Sequence, residues 1–522
     1  MIDFDPILIQ DWLKRSVCRY PQKNAFIAGN KTLTYQELDK QSSILAGNLL
    51  EAGIQFQDRV VIFLDNSIES VISLYAVLKT GGIFVILNPS LRPTKLAYIL
   101  FNSQARFLIS AASKIRIIRE AVSALADPPQ SLWVNYNSTI QKEFPDALDW
   151  TKLMEQSDNK IDQSICPRMI DQDLATLIYT SGSTGEPKGV MSTHHAMISA
   201  ARSIIQYIQN EPDDIILNVL PLSFDYGLYQ VVMSVMFGGT IVLEKSFTYI
   251  HQVLQQIAQH RITGFPIVPT IVAMLLNLQD LSSYDFSSLR YITNTGAALP
   301  PEHIKRFRTL FPDIRIVSMF GLTECKRVGY LPPEQIDIRP DSVGKAMPNC
   351  RTQIVDEEGN PVGPNEIGEL IIEGSNVMPG YWKDPELTAR AYRSGPLPHQ
   401  RFLYSGDYFK QDEKGYLYFL GRKDDMIKTR GERVSPKEIE NILSQMPGIA
   451  EAAVIGIPDK ILGQVPKAFI VAVQADTVTR QDVLKYATQS MENFMVPKEI
   501  EFISALPRTP NGKIDKKSLK NQ

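Results

Sequence analysis

A chain of 522 residues exceeds what one hydrophobic core usually supports, so at least two domains are expected. Hydrophobic residues make up 44% and charged residues 21% of it, with a formal net charge of −3, a balance that argues against a polyanion-binding or membrane-surface protein. Cys18, Cys166, Cys325 and Cys350 stand far apart without metal-type spacing, the N-terminus does not read as a signal peptide, and no apolar run reaches about 18 residues, so reduced thiols and a cytoplasmic protein are expected.

Thr34 followed by Glu37 predicts a capped helix whose apolar positions continue through Leu45, Leu49 and Leu50. Residues 58–64 predict a buried strand, 67–80 a helix ended by Gly81-Gly82, and 83–87 a second strand. That order at that spacing implies a right-handed βαβ unit and a parallel sheet. From about 110 to 171 the chain is polar and irregular, which predicts a variable surface connection without chemistry.

Leu177-Ile178-Tyr179 predicts a short strand, and Thr180 to Gly189 follows with three glycines, four hydroxyls and Lys188. Glycines let backbone N–H groups converge on an anion, hydroxyls add donors and Lys188 adds charge, so the stretch is suited to clamp phosphate. It lacks the Walker A spacing, and an ordinary surface turn shares its composition. His194 and His195 open the next helix; adjacent residues do not share a helical face, which argues against a metal site.

Residues 215–221 predict a strand that delivers Leu222 to Gly227 to its carboxyl end, where ligands bind in open α/β sheets. Asp225, between Phe224 and Tyr226, is a costly carboxylate unless something compensates it. A ligand cation and a structural cap or salt bridge are both open readings. Residues 262–270 predict a strand leading into a helix, and 291–300 a strand followed by small residues that let a flat ring lie against the backbone. Residues 314–320 predict a further strand that ends in Phe320-Gly321-Leu322-Thr323-Glu324-Cys325; Phe320 offers a stacking plane, Thr323 a donor and Glu324 oxygen for a hard cation. Lys326-Arg327 reads, without further context, as a solvated basic pair.

Residues 366–374 predict part of a β-rich subdomain, with Asp407 and Arg422 placed after further strands. Ser435 and Pro436 start a helix that, with strands near 451–456 and 467–473 and a helix near Gln481, predicts a compact α+β segment. Asn511-Gly512 makes a tight turn that projects Lys513, a cation able to meet a developing anion.

Tyr-Thr-Ser-Gly-Ser-Thr-Gly-Glu-Pro-Lys-Gly at 179–189 is similar to the signature loop of the AMP-forming acyl-adenylate ligases, which include acyl-CoA synthetases, nonribosomal adenylation domains and luciferases. Further motifs follow in the family's order over nearly the whole chain. The resemblance implies an α/β fold: a large AMP-binding domain of parallel and mixed sheets with helices and a β-rich subdomain, 1–423, then a small mobile α+β lid, 424–522, hinged at Asp424. It implies ATP and Mg²⁺ as cofactors and a reaction in two halves, acyl-adenylate formation and then displacement of AMP by a thiol.

Residue by residue, the resemblance assigns phosphate binding to Thr180, Ser181, Gly182, Ser183, Thr184 and Lys188. It assigns the nucleotide to Gly296, Ala297, Phe320, Asp407, Phe419 and Arg422, catalysis to Thr323, Glu324, Lys428 and Lys513, and Mg²⁺ to Glu324. Phe320 stands where the family has tyrosine, which loses a hydrogen bond and keeps the stack. The acid falls to Phe224, Asp225, Tyr226, Tyr229 and Val328; amino-acid-activating members carry Phe-Asp, whose Asp holds the substrate ammonium. Leu-Ser-Phe-Asp-Tyr-Gly together with Phe-Gly-Leu-Thr-Glu-Cys-Lys-Arg-Val resembles the stand-alone ligases that load L-proline onto a peptidyl carrier protein, and also a group of acyl-CoA ligases linked to exopolysaccharide export. The implied partners are a small amino or carboxylic acid and a thiol, on a carrier protein in trans or on CoA. An acyl-CoA synthetase for a small acid is the alternative, a non-catalytic adenylate sensor or a luciferase-like oxidase the remoter ones.

Overall fold

The computed structural model describes residues 5–155, 168–181, 186–278, 281, 283–397, 400–429, 432–459, 462–474, 478–509 and 514–521. Two large sheets dominate. One has nine strands in the order Lys345–Ala346, Gly329–Leu331, Arg315–Phe320, Tyr291–Asn294, Gly264–Ile267, Ile215–Asn218, Thr240–Leu243, Asn24–Ala28 and Lys31–Thr34. The run from Arg315–Phe320 to Asn24–Ala28 is parallel. Its neighbouring carboxyl ends therefore open on one side, the arrangement that makes a ligand crevice.

The other sheet has eight strands: Gly380–Tyr381, Pro187–Thr193, Leu174–Ser181, Ile83–Ile86, Arg59–Phe63, Ala105–Ala111, Gln130–Val134 and Leu148–Asp149. The βαβ unit read from residues 58–87 lies at its centre, with Arg59–Phe63 parallel to Ile83–Ile86 and the helix Ile68–Lys79 between them. That helix and Asp225–Phe237 are buried almost all round, as an apolar run without a polar face must be, and both pack into one core shared by the two sheets. Lys79, at the end of its helix, carries a charge inward and meets Asp39 at 2.7 Å. Thr34 caps the helix Tyr35–Glu51 as the sequence predicts, and Glu37 adds the reciprocal bond to the Thr34 backbone N–H.

Two expectations are corrected. Within the stretch expected to be irregular, residues 110–155 are regular: Gln130–Val134 and Leu148–Asp149 extend the parallel sheet, with the helices Ile115–Val122, Ser138–Glu143 and Trp150–Glu155 before, between and after them. The glycine-rich stretch is not a loop from Thr180 to Gly189, because Leu174–Ser181 and Pro187–Thr193 pair as an antiparallel hairpin with Thr180 opposite Lys188. Past the strand Ile215–Asn218, a helix starts at Asp225. A Cβ on Gly227 would lie 2.4 Å from the carbonyl oxygen of Pro221, so only glycine lets that helix turn so close to the strand end.

His194, at the start of the helix His194–Ile208, accepts from the Ile9 N–H through Nδ1 at 3.2 Å, and burial lowers its pKa to about 4. It is a structural acceptor. A five-stranded antiparallel subdomain includes Gly368–Gly374, Arg401–Gln411 and Leu417–Arg422. The C-terminal sheet, Ile427–Thr429, Glu432–Val434, Ile449–Asp459, Gly463–Ala472 and Glu499–Phe502, packs with the helices Pro436–Ser444 and Arg480–Ser490 around its own core of Ile439, Leu443, Val454, Ile470 and Val483. Among the described residues, no helix is long and apolar enough to cross a membrane.

Candidate active site

The parallel strands of the nine-stranded sheet deliver their successors side by side. After Ile215–Asn218 come Phe224 and Asp225; after Gly264–Ile267 comes Val268; after Tyr291–Asn294 come Thr295 and Gly296; and Phe320 ends Arg315–Phe320, ahead of Thr323 and Glu324. Gly296 sits in the left-handed region, φ +89°, where a Cβ would approach Phe224 Cζ at 3.8 Å and Val268 Cγ1 at 3.9 Å. The surface predicted to face adenine therefore adjoins the residues predicted to face the acid. Ala297 is exposed, and its carbonyl accepts from Asn294 Nδ2 at 3.0 Å.

Phe320 packs edge-on to Phe409, ring centroids 5.1 Å apart, and tilted to Phe419 at 6.1 Å. The antiparallel register of Arg401–Gln411 and Leu417–Arg422 sets Asp407 opposite Arg422, and Arg422 Nη1 donates to Asp407 Oδ1 at 2.7 Å. Asp407 raises the Arg422 pKa above its ordinary value, and the guanidinium is 56% exposed. One carboxylate and one forked cation at the edge of an aromatic slot suit a ribose and a phosphate.

Tyr381 ties two parts of the site together. Its hydroxyl donates to Glu324 Oε1 at 2.7 Å, and Lys188 Nζ lies 5.8 Å from its ring centroid. The strand Gly380–Tyr381 pairs with Val190 and Met191, so the base of the hairpin and the Glu324 carboxylate are held to one another through a single side chain. Burial first, and Glu324 second, push the Tyr381 hydroxyl pKa up, which keeps it a donor. Among the described residues no cluster of three or more His, Cys, Asp or Glu could hold a metal. A single carboxylate fits Mg²⁺, which commonly takes one or two protein oxygens and completes its shell with water and substrate phosphate.

The acid side holds the group that the sequence left unexplained. Lys326 and Arg327 are not a solvated pair: both are buried. The loop after Phe320 folds back on itself so closely that a Cβ on Gly321 would lie 2.3 Å from the Lys326 carbonyl oxygen, and Lys326 takes φ +62°. The turn aims Lys326 at the helix Asp225–Phe237, where Nζ lies 3.5 Å from Asp225 Oδ2 and 4.4 Å from the Tyr229 ring centroid. Lys326 is 2% and Asp225 8% exposed, and the ion pair is too long for a strong hydrogen bond. Burial lowers the Lys326 pKa to about 7, with Asp225 opposing the shift. Arg327 turns elsewhere and donates through Nη1 to Thr295 Oγ1 at 2.5 Å. Tyr226 bonds the Thr293 carbonyl at 2.8 Å, while the buried Tyr229 hydroxyl has no hydrogen-bond partner among the described residues.

Not every predicted residue joins this group. Val328 is fully buried in a different apolar cluster, with Val190, Cys325 and Met378, whereas Tyr226 and Tyr229 belong to two others. Thr180 lies on the hairpin strand. Gly182, Ser183, Thr184 and Lys513 lie outside the described residues, as do the side chains of Ser181, Asp424 and Lys428. Asp424 falls in the short turn Lys423–Asp425 and Lys428 in the strand Ile427–Thr429. Sequence reasoning missed Tyr381, which no local motif marks.

The chain has many relatives among known proteins. Residues 13–382 match the family model described as AMP-binding enzyme, and 438–513 match that of the AMP-binding enzyme C-terminal domain. The chain is similar to an indoleacetate–CoA ligase of Aromatoleum aromaticum, 31% identical over 98% of this chain and 97% of that protein. It is also similar to a linear gramicidin synthase of Brevibacillus parabrevis, 30% identical over 98% of this chain and 6% of that much longer protein. Among solved structures, the anthranilate CoA ligase AuaEII in complex with anthranoyl-AMP superposes with a TM-score of 0.89 at 27% identity, covering 99% of this chain and 98% of that one.

Proposed function

The chain belongs to the AMP-binding enzyme family, whose members are ATP- and Mg²⁺-using, AMP-forming ligases, and from that premise we propose that its acid is a small amino acid, L-proline as the best match. The acceptor is then the phosphopantetheine thiol of a carrier protein acting in trans. The observation that carries this reading is Asp225: a buried carboxylate in the first turn of the helix Asp225–Phe237, beside the Phe224 that adjoins Gly296, with a long ion pair at 3.5 Å to Lys326. Tyr226 and Tyr229 on the same helix leave little depth for a long acyl chain.

The substrate carboxylate is already a nucleophile, so the residues need to position it and to neutralise charge rather than remove a proton. In this reading Asp225 holds the substrate nitrogen and turns the carboxylate toward the nucleotide. Thr180, Ser181, Gly182, Ser183, Thr184 and Lys188 receive the departing pyrophosphate. Phe320, Phe419, Gly296 and Ala297 flank adenine, Asp407 and Arg422 hold ribose, and Thr323 donates to the α-phosphate. Glu324 would hold Mg²⁺, which would offset phosphate charge, and Lys513 brings a second cation.

For thioester formation, the lid, 424–522, turns about Asp424 and presents the face bearing Lys428. Asp424→Pro should slow thioester formation while adenylation persists, measured by separate half-reaction assays; a variant that kept both rates would reject the hinge.

An ATP–pyrophosphate exchange screen across amino acids and small carboxylic acids tests the acid, and transfer to CoA against a holo-carrier protein tests the acceptor. Asp225→Asn should lose proline-dependent exchange while it keeps ATP binding; unchanged exchange rejects the assignment. A second reading, a CoA ligase for a small acid that carries no nitrogen, is favoured by Lys326, which already supplies Asp225 with a cation.

A further inference from the structure

We propose that Lys326 is a specificity-determining residue of the acid pocket: as a built-in counter-ion to Asp225, it lets the pocket accept small acids that carry no nitrogen as well as those that do. The inference builds on the reading that the acid lies against Asp225.

The geometry gives Lys326 no other evident task. Its ammonium is almost wholly buried and has no hydrogen-bond partner among the described residues, although it carries three donors. The groups around it are Asp225, Tyr226 and Tyr229 from the helix, and Cys325 and Arg327 from its own loop. Arg327 cannot replace it, because its guanidinium is engaged by Thr295 and faces the ring of Tyr226.

A carboxylate buried alone must draw its cation from whatever binds, so a pocket with Asp225 alone would reject an acid lacking an ammonium. With Lys326 at 3.5 Å that demand is already met inside the protein. An amino acid then has to share the carboxylate with a second cation, and a plain acid does not. The long separation leaves room for sharing, since the pair is not closed by a short hydrogen bond.

L-Proline and cyclopentanecarboxylate test this, because they differ at the ring position where proline has its nitrogen. Wild-type enzyme should support pyrophosphate exchange with both. Lys326→Met removes the internal cation and should shift the kcat/KM ratio toward proline by about tenfold or more, through the KM for the acid and with the KM for ATP unchanged. The double variant D225N/K326M removes both charges and should move the ratio the other way. It also keeps the test open if K326M alone does not fold, because a neutral pair leaves no buried charge.

A wild type that uses proline and rejects cyclopentanecarboxylate overturns the inference. So does a ratio that stays within about twofold in K326M or moves toward cyclopentanecarboxylate. A wild type that shows no exchange with proline or any other amino acid overturns the proposed substrate and the dual acceptance with it, whereas one that uses proline but fails either of the two preceding tests overturns the role of Lys326 alone.

Discussion

Two ion pairs line the candidate site, and they differ in a way that separates binding from scaffolding. Asp407 and Arg422 face each other across an antiparallel register and meet at 2.7 Å, with Asp407 buried and the Arg422 side chain 56% exposed. Asp225 and Lys326 come from distant segments, stand 3.5 Å apart, and are both buried. The first pair is closed by a short hydrogen bond, with its carboxylate buried and its cation at the surface, so it fixes Asp407 while it presents donors at the edge of the slot. The second is open and desolvated, so each member depends heavily on the other and still has capacity for a ligand. Closeness alone would rank the two pairs in the wrong order of consequence, because burial decides what loss of a partner costs.

Breaking the buried pair should give the largest effect. Asp225→Asn strands the Lys326 ammonium and should lower the unfolding free energy by about 3–5 kcal/mol in urea titrations. A value below about 1 kcal/mol would place that pair in the class of ion pairs at a protein surface. Next, Gly321→Ala should cost about 1–3 kcal/mol, because the added carbon meets the Lys326 carbonyl oxygen and must displace the turn that aims Lys326 inward. Its exchange activity should fall with it, whereas a stable and fully active variant would show that the turn does not set the pair.

His194 sharpens the comparison from a third side, as a buried group that stays neutral. Its folded-state pKa is lowered from 6.5 to about 4, so between those values the unfolded chain binds a proton that the folded chain refuses. Stability should therefore fall as pH drops through that window, by about 2 kcal/mol at pH 5 from this residue. His194→Asn, which keeps an acceptor for the Ile9 N–H, should flatten the pH dependence of the melting temperature. The smallest effect belongs to Arg422→Gln, which keeps an amide donor for the buried Asp407 carboxylate: stability should fall by about 1–1.5 kcal/mol, while nucleotide binding measured by calorimetry weakens.

Much of the fold was legible because local signals and tertiary outcome agree. The Thr34–Glu37 capping box and the apolar runs at 58–64 and 83–87 specify a helix and two adjacent parallel strands without help from elsewhere. The strands at Gln130–Val134 and Leu148–Asp149 were not legible, since each is short, sits among polar helices, and is recruited by a neighbour already in the sheet. At the hairpin, glycine and hydroxyl content disguised two paired strands, because composition reports what a backbone tolerates and not what pairs with it.

The site shows the same division. Asp225 stood out as a costly carboxylate from its neighbours alone. Lys326 was read as solvated because its burial depends on a left-handed backbone and a close approach at Gly321, neither of which the residue types announce. Tyr381 could not be found locally, since it acts only by lying across both Glu324 and Lys188.

The Asp225–Lys326 contact also constrains how the proposed acid site can diverge. The two residues are encoded far apart, yet a change in either one alone leaves a buried charge without its partner. A lineage that moves from this pocket to an uncharged one, or reverses its polarity, must cross a destabilised intermediate or acquire two substitutions together. Laboratory libraries that vary only the stretch around Phe224 to Tyr229 would sample mostly that intermediate, and those that also randomise position 326 would reach the far side.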